Sequence, residues 1–211
     1  QPGSASTLKT SSDQGSMRHM AFDMAVACIH ECLGLYGKCR AQYQSFYWCN
    51  FEHELERGHS FPCEGDFNAQ LYHRLRSRLP TGIRIHSEYK PAKLPRRRID
   101  LVLEGPDKKW AIPIEVKMNW DQFKPKYKNQ IPVRAEALTI LDRFIALDQE
   151  FKEVLPILVV IQGDWRRETK MKNMEKACDD LSSAPISTEL LCFHETANRV
   201  GQYTVGHGRH M

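Results

Sequence analysis

The stretch Arg98-Ile99-Asp100-Leu101-Val102-Leu103-Glu104, then Gly105-Pro106-Asp107, then Trp110-Ala111-Ile112-Pro113-Ile114-Glu115-Val116-Lys117, decides the fold. Two alternating apolar runs separated by a Gly-Pro-Asp turn predict a β-hairpin. Side chains alternate between the two faces of a strand. Ile99, Leu101 and Leu103 are therefore expected on one face of the first strand, with Asp100 on the other. In the second strand Ile112, Ile114 and Val116 share a face, and Glu115 and Lys117 share the opposite one. Pairing of the two strands brings two carboxylates and one ammonium to the same side of a sheet. Pro113 has no N–H to give a ladder, so its place in the second strand predicts an edge or a bulge.

This grouping has the chemistry of a hydrolytic Mg²⁺ site. Carboxylates supply hard oxygen ligands. A divalent ion lowers the pKa of bound water and neutralises phosphate charge, and a nearby Lys orients or activates the attacking water. Asp100 followed by Glu115-Val116-Lys117 on the next strand resembles the core motif of the PD-(D/E)XK nuclease superfamily, with Ile99 in place of the name-giving Pro. The resemblance implies a restriction-endonuclease-like fold. It also implies a metal site of Asp100 and Glu115, with the Val116 carbonyl as a further ligand, and a catalytic Lys117. The plainer reading of the same residues is a surface hairpin with charged outer positions, because E-x-K is a short motif.

Working outward, Pro62-Cys63-Glu64-Gly65-Asp66-Phe67 leads into Leu71, Leu75 and Leu79, an apolar stripe with four-residue spacing that predicts a helix. Glu64 stands at its N-terminus, where an anion faces unpaired N–H groups. It is either a capping carboxylate, a role Asp66 fills equally well, or the acidic residue that the first core helix of the resembled family often adds to the metal site. Pro80-Thr81-Gly82 is a turn, and residues 83–89 alternate as a first strand, with Glu88 able either to reach the site or to pair with an Arg. Residues 90–97 form a basic, proline-containing loop before the hairpin.

Beyond the hairpin, residues 119–132 are polar and lysine-rich with Trp120, Phe123 and Tyr127 interleaved. Such a segment suits a nucleic-acid strand, phosphates to Lys and bases to rings, and it equally suits a loop packed by its own side chains. Residues 133–150 carry the stripe Val133, Ala137, Ile140, Leu141, Phe144 and Leu147, with Phe151 beyond, and predict an amphipathic helix. Gln130 and Arg134 at its start are either phosphate or Lys117 contacts or plain surface. The apolar run 154–161 predicts a strand buried on both faces, of the kind found in parallel sheets, reached by a crossover from that helix. A further helix is expected at 168–181, and short edge strands at 189–194 and 202–205.

Upstream, residues 17–34 predict a helix through Ala21, Met24, Ala25, Cys28, Ile29 and Cys32, stopped by Gly34 and Gly37. A second helix is expected at 38–57, with an aromatic stripe (Tyr43, Phe46, Tyr47, Phe51) that reads as core or as a partner surface. Residues 1–16 and 206–211 read as a disordered leader and tail. The expected organisation is an N-terminal helical extension over 17–60 and a nuclease-like domain over 61–205.

The 211 residues carry a formal net charge of +4 and seven cysteines. No apolar run has the length of a membrane span, and no secretory signal pattern opens the chain. The cysteines, odd in number and without a CxxC pair, read as reduced thiols of a cytoplasmic protein. Cys28 and Cys32, four apart, read as small core residues. A zinc site drawn from Cys28, Cys32, Cys39, Cys49, His30 or His53 has no recognisable spacing. The basic residues cluster around the hairpin: Arg96, Arg97 and Arg98 before it, Lys124, Lys126, Lys128 and Arg134 after it. They read as a phosphate-tracking surface or as a solvated basic face.

The order helix, three strands, helix, strand gives the expected fold, an α/β restriction-endonuclease-like αβββαβ core with a mixed central sheet. The expected function is a Mg²⁺-dependent nuclease acting on DNA, with Mn²⁺ as a substitute, through Asp100, Glu115, Lys117 and Glu64. A homodimer is compatible with this reading. The alternative is a catalytically inactive module of the same fold that binds nucleic acid or protein.

Overall fold

The computed structural model describes residues 10–47, 64–118, 133–162, 185–194 and 199–205. Three helices, α1 (Thr10–Tyr47), α2 (Glu64–Arg78) and α3 (Val133–Leu147), pack on a seven-stranded mixed sheet. The strands are β1 (Arg84–Tyr89), β2 (Ile99–Glu104), β3 (Trp110–Met118), β4 (Glu153–Val154), β5 (Ile157–Gln162), β6 (Thr188–His194) and β7 (Arg199–Val205). The sheet runs β1-β2-β3-β5-β6-β7, with the short β4 also on β3. β1-β2-β3 form an antiparallel meander, β3, β5 and β6 are parallel, and β7 returns antiparallel to β6.

Each face of the sheet buries its own apolar cluster. On one, Leu101, Leu103, Ile112, Ile114, Val116, Ile157 and Val159 meet Ala21, Ala25, Cys28 and Ile29 of α1 and Phe67, Leu71 and Leu75 of α2. On the other, Val102, Ala111, Leu158 and Val160 meet Ile140, Leu141, Phe144 and Leu147 of α3. Period-two burial in the strands and three- and four-residue burial in the helices thus interlock, which is the physical content of a mixed α/β layer architecture. α1 and α2 are also clamped by Glu31, which takes Arg74 at 2.6 Å and Arg78 at 2.6 Å. Cys28 and Cys32 are buried beside this clamp, and burial pushes the Cys32 thiol up to about 11. Both behave as small apolar residues. The other residues weighed for a zinc site are His30, which is partly exposed on α1, Cys39, whose side chain lies outside the described set, and Cys49 and His53, which lie outside the described residues altogether.

Several expectations are corrected. α1 begins at Thr10, so residues 10–16, read as leader, form its first turns. It also runs through Gly34 and Gly37. A Gly inside a helix costs about 1 kcal/mol relative to Ala, less than the packing of the buried α1 stripe returns. The apolar run 154–161 is divided: β4 ends at Val154, and β5 starts after Pro156. Residues 189–194 lie in β6, which is interior, between β5 and β7, rather than at an edge. Pro113 sits in central β3, opposite Val102 of β2. Ala111 O accepts from Leu155 N at 2.9 Å, so Pro113, two residues on, faces the same neighbour. There the partner strand is broken by Pro156, between the Ala111–Val154 and Ile114–Ile157 pairs. The missing N–H of Pro113 therefore falls at a gap in the ladder. The expected helix at 168–181 and the loop 119–132 lie outside the described residues.

Candidate active site

The site forms where β2 leaves β3. The two strands are paired from Glu104–Ala111 to Leu101–Ile114, and one step further the side chains take over the ladder. Val116 N–H donates to Asp100 Oδ2 at 2.8 Å, and Asp100 N–H donates to Glu115 Oε2 at 3.3 Å. The two carboxylates are thereby fixed by each other's strand. The alternation expected for β2 breaks at this point: Leu101 and Leu103 face the α1–α2 core, whereas Ile99 packs with Val102 and Phe144 on the α3 side. The β1 residue across from the break, between the Ser87–Leu101 and Tyr89–Ile99 pairs, is Glu88, whose φ of +54° lies in the left-handed region. A non-glycine residue rarely adopts that region. The strained position and the broken alternation stand side by side on β1 and β2.

Glu115 is 1% exposed and surrounded by donors. Its Oε1 takes Lys117 Nζ at 3.1 Å and Arg143 Nη1 at 2.6 Å. Arg143, on α3, also donates from the same nitrogen to the Arg98 carbonyl at 2.6 Å. Asp100 accepts a hydrogen bond from the Asn68 side chain of α2, and burial, then the Glu115 charge, pushes its carboxyl up to about 6 against the pull of Val116 N–H, Lys117 and Asn68. A raised carboxylate beside a second carboxylate in a secluded place is a frequent property of functional sites.

Asp100, Glu115 and Lys117 are thus brought together. Glu64 is the first residue of α2, and its side chain lies outside the described set. Arg134 belongs to α3, with its side chain likewise outside that set, and Lys124, Lys126 and Lys128 lie outside the described residues. Arg96 and Arg97 are exposed, and Arg98 pairs with Glu88 at 2.8 Å. Two residues of the cluster, Asn68 and Arg143, are absent from the sequence reading. Each borders an apolar stripe, Asn68 next to Phe67 and Arg143 next to Phe144. That position on a helix was the available signal for a polar group turned toward the sheet.

The donor set fits a hard divalent ion that keeps several waters, the usual habit of Mg²⁺. Among the described residues no group of three or more His, Cys, Asp and Glu side chains is close enough to hold a metal, so the side-chain carboxylates number two. Neutral oxygens are at hand. Asn68 Oδ1 is buried without a hydrogen-bond partner, on the same amide that bonds Asp100. The Val116 carbonyl points to the same side of β3 as its N–H, toward Asp100. Glu115 Oε1 already accepts from both Lys117 and Arg143, so that oxygen must exchange a partner to bind a metal, whereas Oε2 takes one donor, Asp100 N–H at 3.3 Å.

No family model matches the chain, and no curated protein matches it. Among solved structures, that of Pyrococcus furiosus SfsA in complex with Ca²⁺ is similar at 14% identity and a TM-score of 0.29, over 67% of this chain and 64% of that one. This chain spans less than two thirds of that protein's length, and a likeness at that score fixes neither fold nor function. No described helix is long and apolar enough to cross a membrane.

Proposed function

We propose that the chain is a restriction-endonuclease-like, metal-dependent nuclease that hydrolyses phosphodiester bonds of DNA. The observation that carries the reading is the convergence of Asp100, Glu115 and Lys117 at the fork between β2 and β3, with Lys117 Nζ 3.1 Å from Glu115. Asp100 and Glu115 would hold Mg²⁺ or Mn²⁺, with the Val116 carbonyl, Asn68 Oδ1 or Glu64 completing the shell. The ion supplies a Lewis acid that acidifies water and neutralises phosphate charge. Lys117 orients the attacking water and offsets charge on the phosphate. Asn68 and the Val116 N–H hold the Asp100 carboxylate in its orientation. The exposed Arg96 and Arg97, on the loop that runs into β2, would meet the phosphate backbone.

A second reading is the inactive module of the same fold. It is favoured by one feature: Lys117 and Arg143 already pair with Glu115 without a metal. Supercoiled plasmid and a linear single strand, incubated with Mg²⁺, with Mn²⁺ and with EDTA, separate the two. Metal-dependent cutting that falls by about a hundred-fold or more in Lys117→Ala is the expected result, as for loss of a group that handles the proton or orients the water. A folded Lys117→Ala protein that cuts as fast as the parent would overturn the assignment. A parent that binds DNA and never cuts it supports the inactive module.

A further inference from the structure

The guanidinium of Arg143 occupies a position that the proposed chemistry does not use. It is 13% exposed and lies 2.6 Å from Glu115 Oε1. Its Nη1 donates one N–H to that oxygen and the other to the Arg98 carbonyl, both at 2.6 Å. Its Nε is buried with no partner. An arginine held for structure alone satisfies its fork, commonly as a bidentate carboxylate pair. Here one nitrogen serves two acceptors while another buried donor serves none.

The charge count gives this geometry a meaning. Glu115 and Asp100 bring two negative charges, and Lys117 and Arg143 bring two positive ones. A buried carboxylate without such compensation is costly. A divalent ion entering between the carboxylates adds two positive charges to a balanced cluster. Withdrawal of one resident cation from Glu115 restores the balance. Lys117 is on β3, two residues from Glu115 and bound to the same strand. Arg143 is on α3, reaches in from the opposing layer, and is also held by the Arg98 carbonyl through the same nitrogen.

We propose that Arg143 is a resident counter-cation of this site: it occupies Glu115 Oε1 in the metal-free protein, yields that oxygen to an arriving divalent ion, and so sets how tightly the ion is held. This inference rests on the nuclease reading for its metal and goes beyond it in assigning Arg143 as a positioning residue acting through Glu115. The bond to Arg98 keeps the start of β2 attached to α3 in both states. The same device protects a secluded carboxylate pair from mutual repulsion when no metal is present.

The test is Mn²⁺ binding by calorimetry on the parent, Arg143→Gln and Arg143→Lys, with thermal midpoints in EDTA and in Mn²⁺. Removal of one positive charge at this range is expected to tighten Mn²⁺ by on the order of ten-fold in Arg143→Gln, given the strength of Coulomb interactions in a partly desolvated site. The Gln variant should melt lower than the parent in EDTA and gain more from Mn²⁺. Arg143→Lys keeps the charge, and its affinity should remain close to the parent's. It also keeps the test decisive if the Gln variant folds only with metal. A parent that binds Mn²⁺ while Arg143→Gln binds it equally or more weakly overturns the proposal and leaves the nuclease reading standing. Tightening of equal size in both variants overturns it as well, because charge is then not the cause. No binding by parent or variants overturns the metal site itself and this proposal with it.

Discussion

At the scale of the residue, Asp100 has a carboxyl held well above its ordinary range. Burial and the neighbouring Glu115 raise its carboxyl to about 6, whereas an unfolded Asp titrates near 4. Between about pH 4 and pH 6 the folded protein therefore holds a proton that the unfolded chain has released. Stability falls as pH rises through that window and is level above it. Asp100→Asn mimics the protonated form at every pH. In EDTA its thermal midpoint should exceed the parent's at pH 8, and the difference should close toward pH 4. At about 1.4 kcal/mol per pKa unit the gain is roughly 2–3 kcal/mol, or about 5 °C or more for a chain of this size. A midpoint difference that stays constant from pH 4 to pH 8 would show that the carboxyl is not the source of the cost. Glu115 and Lys117 were legible in the sequence because a strand has a period of two, and Asp100 because the hairpin sets it across from them, although the alternation of β2 fails there. Asn68 and Arg143 were not, since each meets the site from another layer, and no local periodicity reports which residue a helix sets against the sheet at a given point.

At the scale of the element, the hairpin and the stripes of α2 and α3 could be read from the chain, because their signals are local. Three features escaped. Pro156 cuts an otherwise continuous apolar run, so β4 and β5 are separate. β6 is interior because β7 covers it, and strand neighbours are a property of the whole sheet. The alternation of β2 fails at Asp100 because side chains replace the backbone ladder there, which requires the partner strand to be in view. The turn of the hairpin carries its own constraint. Gly105 N–H donates to Trp110 O at 3.0 Å, and a Cβ built on Gly105 would fall onto the Trp110 indole, which is 3% exposed. The glycine is needed there for close approach, since its φ of −76° suits any residue. Gly105→Ala should force the buried ring to move and destabilise the protein by about 1–3 kcal/mol, the usual cost of overpacking. Denaturant unfolding checks this, with the slope unchanged and the midpoint lowered. An unchanged midpoint would mean that the indole is free to move aside.

At the scale of the whole molecule, the site lies where the interior strands β2 and β3 part, in a sheet covered on one face by α1 and α2 and on the other by α3, and all three layers contribute to its surroundings. The loop that brings the chain into β2 has a defined shape. Leu94 N–H donates to Pro91 O at 2.9 Å and Arg97 N–H to Leu94 O at 2.8 Å, two successive turns. Glu150, just past α3, anchors it by accepting from Tyr89 OH at 2.7 Å and from Ala92 N–H at 2.8 Å. Lys90, Lys93, Arg96 and Arg97 stand exposed along this loop, which ends at the carboxylates. On the nuclease reading proposed above, cations fixed on a folded loop beside the carboxylates would track a phosphate backbone, and such contacts release counterions in proportion to their number. Replacing Arg96 and Arg97 together by Ala should weaken binding to duplex DNA by a similar factor for every sequence. It should also make the slope of log affinity against log salt shallower by about 1.8, roughly 0.9 for each phosphate that is no longer neutralised. The measurement is anisotropy in EDTA over a range of salt, so that binding is read without cutting. A loss of affinity at constant slope would assign the two arginines to the shape of the loop, and an unchanged affinity would move the DNA path to another face of the molecule.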